Sequence, residues 1–194
     1  MPIVTSELPP AAVDAVRQAL AATGRFPQRV RGALSLTTPH PIFAATLQQL
    51  AAGNRIADAA KLVGWRALLE EDERVVAAVE LPGSDPGGRG AVVNRGSFVD
   101  STVNALRNAE RHERAEAERL ELRLFDASPL YLRALWLHAA DGGDDLFVPL
   151  APAPAPLRAE TAYDSERFDA EVSDLARSTA SAYESAERPD ELGG

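Results

Sequence analysis

Three runs close together decide the fold: Leu120-Glu-Leu-Arg-Leu-Phe125, Leu130-Tyr-Leu-Arg-Ala-Leu-Trp-Leu-His138 and Leu146-Phe-Val-Pro-Leu150. In the first, Leu120, Leu122 and Leu124 alternate with Glu121, Arg123 and Phe125. Between the second and third lies Asp141-Gly-Gly-Asp-Asp145, a cluster of turn-forming residues. Apolar residues at every second position, bounded by Gly and Asp, place one side of an antiparallel strand on a core.

Working outward, residues 62–69 carry Val63, Trp65, Ala67 and Leu69 on one side, and residues 74–81 carry Val75, Ala77, Val79 and Leu81. The polar link Glu70-Glu-Asp-Glu73 joins them, which predicts a hairpin. Residues 29–37 and 91–93 read as two shorter strands. Pro9-Pro10 followed by Val13, Val16 and Leu20, with Gly24 beyond, predicts a first amphipathic helix. Thr38-Pro39-His40-Pro41 opens a second, carrying Ile42, Phe43, Leu47 and Leu50 and closed by Gly53-Asn54, with another helical turn at 56–61. Residues 98–118 form a third helix, whose stripe of Val99, Val103 and Leu106 fades into a charged run after Ala109. Pro82 to Gly90 is too rich in Gly and Pro for regular structure.

Ala151-Pro-Ala-Pro-Ala-Pro156 reads as a polyproline II spacer. A last helix follows, with Phe168, Val172, Leu175, Thr179 and Tyr183 in one narrow stripe. The expected division is a single α+β domain over 1–150, an Ala/Pro spacer over 151–157, and an acidic C-terminal helix with a frayed tail over 158–194. The domain is a curved antiparallel sheet of five to six strands with helices packed on one face. A cone-like fold, with such a sheet wrapped around a long helix, has a similar order of elements and would leave a pocket.

The 194 residues suffice for one domain with a substantial core, and 45% hydrophobic against 25% charged residues is ordinary for a globular chain. No run reaches the roughly 18 apolar residues of a membrane helix, and the N-terminus lacks the pattern of a secretory signal, so a cytoplasmic protein with no membrane contact is expected. The absence of cysteine excludes disulfides, thiolate nucleophiles and Cys-ligated metals. A net charge of −9 disfavours nucleic acid. Ten carboxylates against four arginines from Arg158 onward supply six of those nine charges. Lys61 is the only lysine.

The side of the sheet opposite the main apolar one carries Ser35, Thr37, Arg66, Glu80, Glu121 and Arg123 by parity, with Tyr131 and Arg133 joining if their strand turns that way. Opposite charges on neighbouring strands then pair at about 5 Å. Either this is a solvated, ion-paired face, or a covering helix makes it the floor of a pocket in which Glu80 or Glu121 serves as acid or base. His40, between two prolines, is the most conspicuous histidine; a capping or loop role competes with a place in that pocket. His138 reads as a hydrogen-bonded strand-end residue and His112 as solvated. Gly87-Gly-Arg-Gly90 lacks the helix and Lys-Ser/Thr of a phosphate cradle, and Gly96-Ser97-Phe98 lacks the second glycine of a nucleophile elbow. No cofactor or metal site is expected.

Two functions lead, ahead of a third in which the acidic C-terminal arm mimics nucleic acid or neutralises a basic partner. The first is a non-enzymatic binding or assembly module, acting on a protein partner or a second copy. Its last helix docks in trans through Phe168, Val172, Leu175 and Tyr183. The second is a small-molecule binder or enzyme whose polar groups are Arg66, Glu80, Glu121, Arg123, Tyr131 and His40. The absence of catalytic motifs favours the first.

Overall fold

The computed structural model describes residues 3–22, 34–83, 90–112 and 119–186. The Gly24 stop, the start of the strand expected at 29–37, most of the Gly-rich loop, the end of the third helix and the frayed tail lie outside the described residues. The predicted hairpin forms from β3 (Lys61–Glu71) and β4 (Arg74–Pro82). Asp72 and Glu73 turn it, both with left-handed backbone (φ 47° and 62°), the handedness that matches the twist of the two strands. The opening runs become β6 (Leu120–Ala127), β7 (Leu132–Ala139) and β8 (Leu146–Pro149).

The remaining strands are β1 (Ile3–Val4), β2 (Leu34–Ala44), β5 (Val92–Asn94) and β9 (Tyr163–Asp164). Among the described residues all nine strands form one open sheet in the order β5-β4-β3-β2-β6-β7-β8-β9, with β1 beside β6. Five to six strands were expected. β1 and β9 are too short to display a period, and β2 was read mostly as helix. Neighbours pair antiparallel except along one edge of β6, where β1 takes the first half and β2 the second, both parallel.

β2 corrects the expected second helix. Proline restricts the residue before it to extended backbone, so His40 before Pro41 continues the strand. Helix α2 (Leu47–Ala51) begins only at Thr46, whose hydroxyl accepts from Gln49 N while the Gln49 side chain accepts from Thr46 N. The short α3 (Ile56–Ala59) follows. The other helices are α1 (Pro10–Ala22), α4 (Ser97–Glu110) and α5 (Ser165–Ala186).

Helices lie on both faces of the sheet, not on one, so the sheet does not wrap a single helix. One face packs Phe125, Trp136 and Phe147 against Leu50 of α2, Ile56 of α3, and Phe168 and Val172 of α5. Phe168 stacks on Phe147 with centroids 4.5 Å apart and planes 5° from parallel, and Trp136 stacks on Phe147 at 5.7 Å. At the β3–β4 end, α1 covers Val79 and Leu81 from the same side, parity placing them opposite Glu80. The other face carries, among the described residues, α4, its Ala105 and Ala109 against Leu122, Leu124, Leu135 and Leu137.

The Ala/Pro segment is not a free spacer. Ala151 N donates to Ser101 Oγ at 2.7 Å, and Leu157 enters the aromatic core. The chain thereby returns to the sheet, and α5 packs in cis. Phe168 and Val172, read as anchors for a partner, are 0% and 1% exposed within their own chain. A stripe of apolar residues says that a helix must pack, not on which molecule.

Candidate functional site

Four charged side chains form one run of contacts beneath α4. The β3–β4 hairpin sets Arg66 opposite Glu80, and the β6–β7 hairpin sets Asp126 opposite Arg133. Register carries both pairs to the same face: His40 pairs with Arg66, Ile42 with Leu124, and Leu124 with Leu135. Arg133 Nη1 donates to Glu80 Oε1 at 2.9 Å, and Arg66 Nε lies 3.5 Å from the same oxygen. Arg133 Nε lies 2.8 Å from Asp126 Oδ2, and Ser128 Oγ donates to Asp126 Oδ1.

α4 covers this run. Arg66 Nη2 donates to Thr102 Oγ1 at 3.0 Å, and Thr102 donates onward to the Phe98 carbonyl. The Phe98 ring lies 4.9 Å from the Arg66 guanidinium and 5.1 Å from that of Arg133, within range for a cation–π contact to each. Arg66 is completely buried, yet its Nε and Nη1 have no hydrogen-bond partner among the described residues.

His40 is also completely buried. Its Nδ1 lies 2.7 Å from the Thr38 carbonyl and must carry the proton, since a carbonyl only accepts. Nε2 is then an acceptor, and it too lacks a partner among the described residues. Burial, seconded by the Arg66 charge and opposed by the Thr38 carbonyl, lowers the His40 pKa to about 3, so the ring is neutral at physiological pH. Burial lowers Arg66 to about 10, with Glu80 opposing and Arg133 adding to the shift; the guanidinium stays charged.

Beside this cluster the first turn of α4, the 3-10 turn Ser128–Leu130 and Pro152 enclose a cleft of about 420 Å³. Phe98 and Pro152 supply apolar wall, and Asp126, Ser128 and Arg133 the polar side. At the rim Tyr131 is 86% exposed with φ 52°. A left-handed backbone costs a residue with a Cβ of the order of 1 kcal/mol. The tyrosine ring recovers nothing by burial there.

The structure thus gathers Arg66, Glu80, His40 and Tyr131 around one region and separates Glu121 and Arg123 from it. Those two sit on the aromatic face, 3.1 Å apart, with the Arg123 guanidinium over Phe43 at 5.1 Å and Trp136 at 4.9 Å. Their place on the same face as Arg66 is corrected: parity holds along one strand and passes to another only through the register. Asp126, Arg133, Phe98 and Thr102 complete the cluster. Recognising Ser128-Pro129-Leu130 as the hairpin turn would have paired Asp126 with Arg133 from sequence. Leu175 is half-buried on α5, and Tyr183 is 54% exposed beyond the packed turns.

Two other polar groups have structural partners. Asp145 is buried and accepts from Trp136 Nε1 at 2.6 Å and Ala139 N at 2.9 Å, with His138 Nδ1 at 3.0 Å, which ties the β7–β8 turn to the core. Asp169 accepts from Ile56 N at 3.2 Å at the start of α3; burial raises its pKa against that hydrogen bond.

Among the described residues no three His, Asp or Glu side chains are grouped to hold a metal ion, and no helix is long and apolar enough to cross a membrane. Comparison with protein-family models, with curated proteins and with solved structures finds no match to the chain. What the cluster can do chemically is limited by its pairing. A general base needs a lone pair in reach of a substrate proton, and Glu80 and Asp126 both have arginine partners.

Proposed function

We propose that the chain is a small-molecule-binding protein, not a catalyst, and that its ligand occupies the cleft between α4 and the β6–β7 turn. The observation that carries this reading is the pairing of a fully buried arginine with a cleft-wall arginine through one carboxylate, next to an exposed left-handed tyrosine. Buried ion pairs are poor stabilisers, and apolar side chains of similar volume often do as well or better. A network kept in such a place, opening onto a cleft of ligand size, is better accounted for by recognition. The Tyr131 backbone adds a second cost with no packing return. Aromatic and arginine side chains at a rim are the groups that most often dominate binding energy.

A fragment screen monitored by protein NMR tests this. Fragments that bind are expected to shift Phe98, Tyr131 and Arg133, and Tyr131→Ala should weaken them by about tenfold while leaving the fold intact. A screen whose hits bypass these residues, or bind Tyr131→Ala unchanged, overturns it. Assembly through protein contacts is the second reading, favoured by the last turns of α5, where Tyr183 and its neighbours are exposed. A monomeric mass in light scattering would remove self-assembly from consideration.

A further inference from the structure

The cluster leaves donors unmet. Arg66 has two buried N–H groups, Nε and Nη1, with no hydrogen-bond partner among the described residues. Glu80 is placed to serve one of them but lies nearer the other arginine: its Oε1 takes the 2.9 Å bond from Arg133 and stands off from Arg66 Nε at 3.5 Å. Asp126 accepts from Arg133 at Oδ2 and from Ser128 at Oδ1, and makes no hydrogen bond to either Arg66 group. One carboxylate is therefore shared between two arginines, and the deeper one is left under-satisfied. A buried donor without a partner bears the full penalty of desolvation, so the gain from completing Arg66 is available to anything that frees Glu80.

Arg133 is the arginine that meets the cleft, with its side chain 30% exposed. Asp126 grips its Nε side, and Glu80 holds Nη1. If Glu80 leaves, the Nη1–Nη2 fork faces the open side of the network, and a fork of this kind takes two oxygens of a carboxylate or phosphate. Phe98 and Pro152 stand beside it to receive an apolar body.

We propose that the cleft binds a ligand carrying a carboxylate or phosphate on an apolar body, and that this anion takes over Arg133 while Glu80 closes onto Arg66. The inference rests on the reading of the cleft as a ligand site. The movement is small: the 3.5 Å separation needs only to shorten to the roughly 2.9 Å of an N–H···O bond. The four charges balance before the ligand arrives, two arginines against two carboxylates. Affinity therefore comes from the fork, the completed Arg66 and the apolar wall, not from a net positive field. A cationic ligand is disfavoured, because the Arg133 charge at the cleft repels it.

The test is an NMR titration of the full chain with benzoate, phenyl phosphate and the neutral analogue benzamide. At least one of the two anions is expected to bind about tenfold more tightly than benzamide, and which one does so separates carboxylate from phosphate. The Arg66 Nε–H resonance should move on binding, although Arg66 lies outside the cleft. Glu80→Gln, nearly isosteric, keeps an acceptor oxygen for Arg66 but loses the charge that holds Arg133, and should strengthen anion binding several-fold. Arg133→Lys, which keeps the charge and loses the fork, should abolish the anion preference. Weaker anion binding in Glu80→Gln, or benzamide binding as tightly as both anions, overturns the inference and leaves the cleft as a ligand site. No shift at Tyr131 with any of the three compounds overturns this inference; only a wider screen that also bypasses Tyr131 overturns the ligand site itself.

Discussion

The two faces of the sheet meet the same demand in opposite ways. The face under α5 is built from ring on ring: Phe125, Trp136, Phe147 and Phe168 interlock, and its polar atoms have defined partners, with Asp145 accepting from the Trp136 indole. The face under α4 is apolar only beneath the alanine stripe of that helix. Towards the helix N-terminus it turns into a run of paired charges with orphaned donors. One face stabilises the molecule, while the other tolerates an arrangement that stability alone would not select. A candidate site is found where packing stops accounting for the residues present.

This contrast can be broken at its strong side first. Phe168 contacts three aromatic rings on the core side of α5. Phe168→Ala is expected to cost about 3–5 kcal/mol, measured by chemical denaturation of the full chain. A loss of under about 1 kcal/mol would mean that α5 is not part of the core.

The charged face should respond differently to single and paired changes. Glu80→Ala leaves Arg66 buried without its counter-charge and should cost about 3 kcal/mol. Arg66→Met combined with Glu80→Leu removes both ends and should recover most of that loss, to within about 1 kcal/mol of the original stability. If the double variant is as unstable as the single one, the pair is a structural necessity, and the contrast between the faces fails.

The smallest expected effect is a pH dependence. His40 titrates near 6.5 when unfolded and near 3 when folded, so the unfolded chain alone gains this proton as pH falls between those values. The stability due to the neutral ring is complete above pH 6.5 and is lost on acidification, by about 2 kcal/mol between neutral pH and pH 5. His40→Gln should lose correspondingly less over that interval, as urea denaturation at several pH values would reveal. Parallel pH profiles for the two proteins would place His40 in contact with solvent.

Much of the architecture was legible in the sequence, because its signals were local. Alternation in 120–125 and 130–138 fixed which side chains share a face within each strand, and Glu70 to Glu73 located the turn that sets Arg66 against Glu80. His40 was misread because two prolines near apolar residues resemble a helix start. The restriction that proline places on its predecessor was the better guide, and Thr46 with Gln49 was the true start. β4 shows the limit of periodicity: the register shifts between Leu69 and Glu70, and Val75 joins the cluster of Leu68 and Val99 under α4, not the side of Val79.

By itself, then, the sequence determined the β3–β4 hairpin with its tight turn, the runs that become β6, β7 and β8, and which residues alternate within each of these three, since all of these follow from neighbours a few residues apart. The tertiary structure alone decided that α5 packs on its own chain, that Glu121 and Arg123 part from Arg66 and Glu80, and that Asp126 and Arg133 join them beside a cleft. Those outcomes depend on the register between β2 and β6, segments some 80 residues apart, and on which face each helix reaches. No pattern within a single strand encodes them.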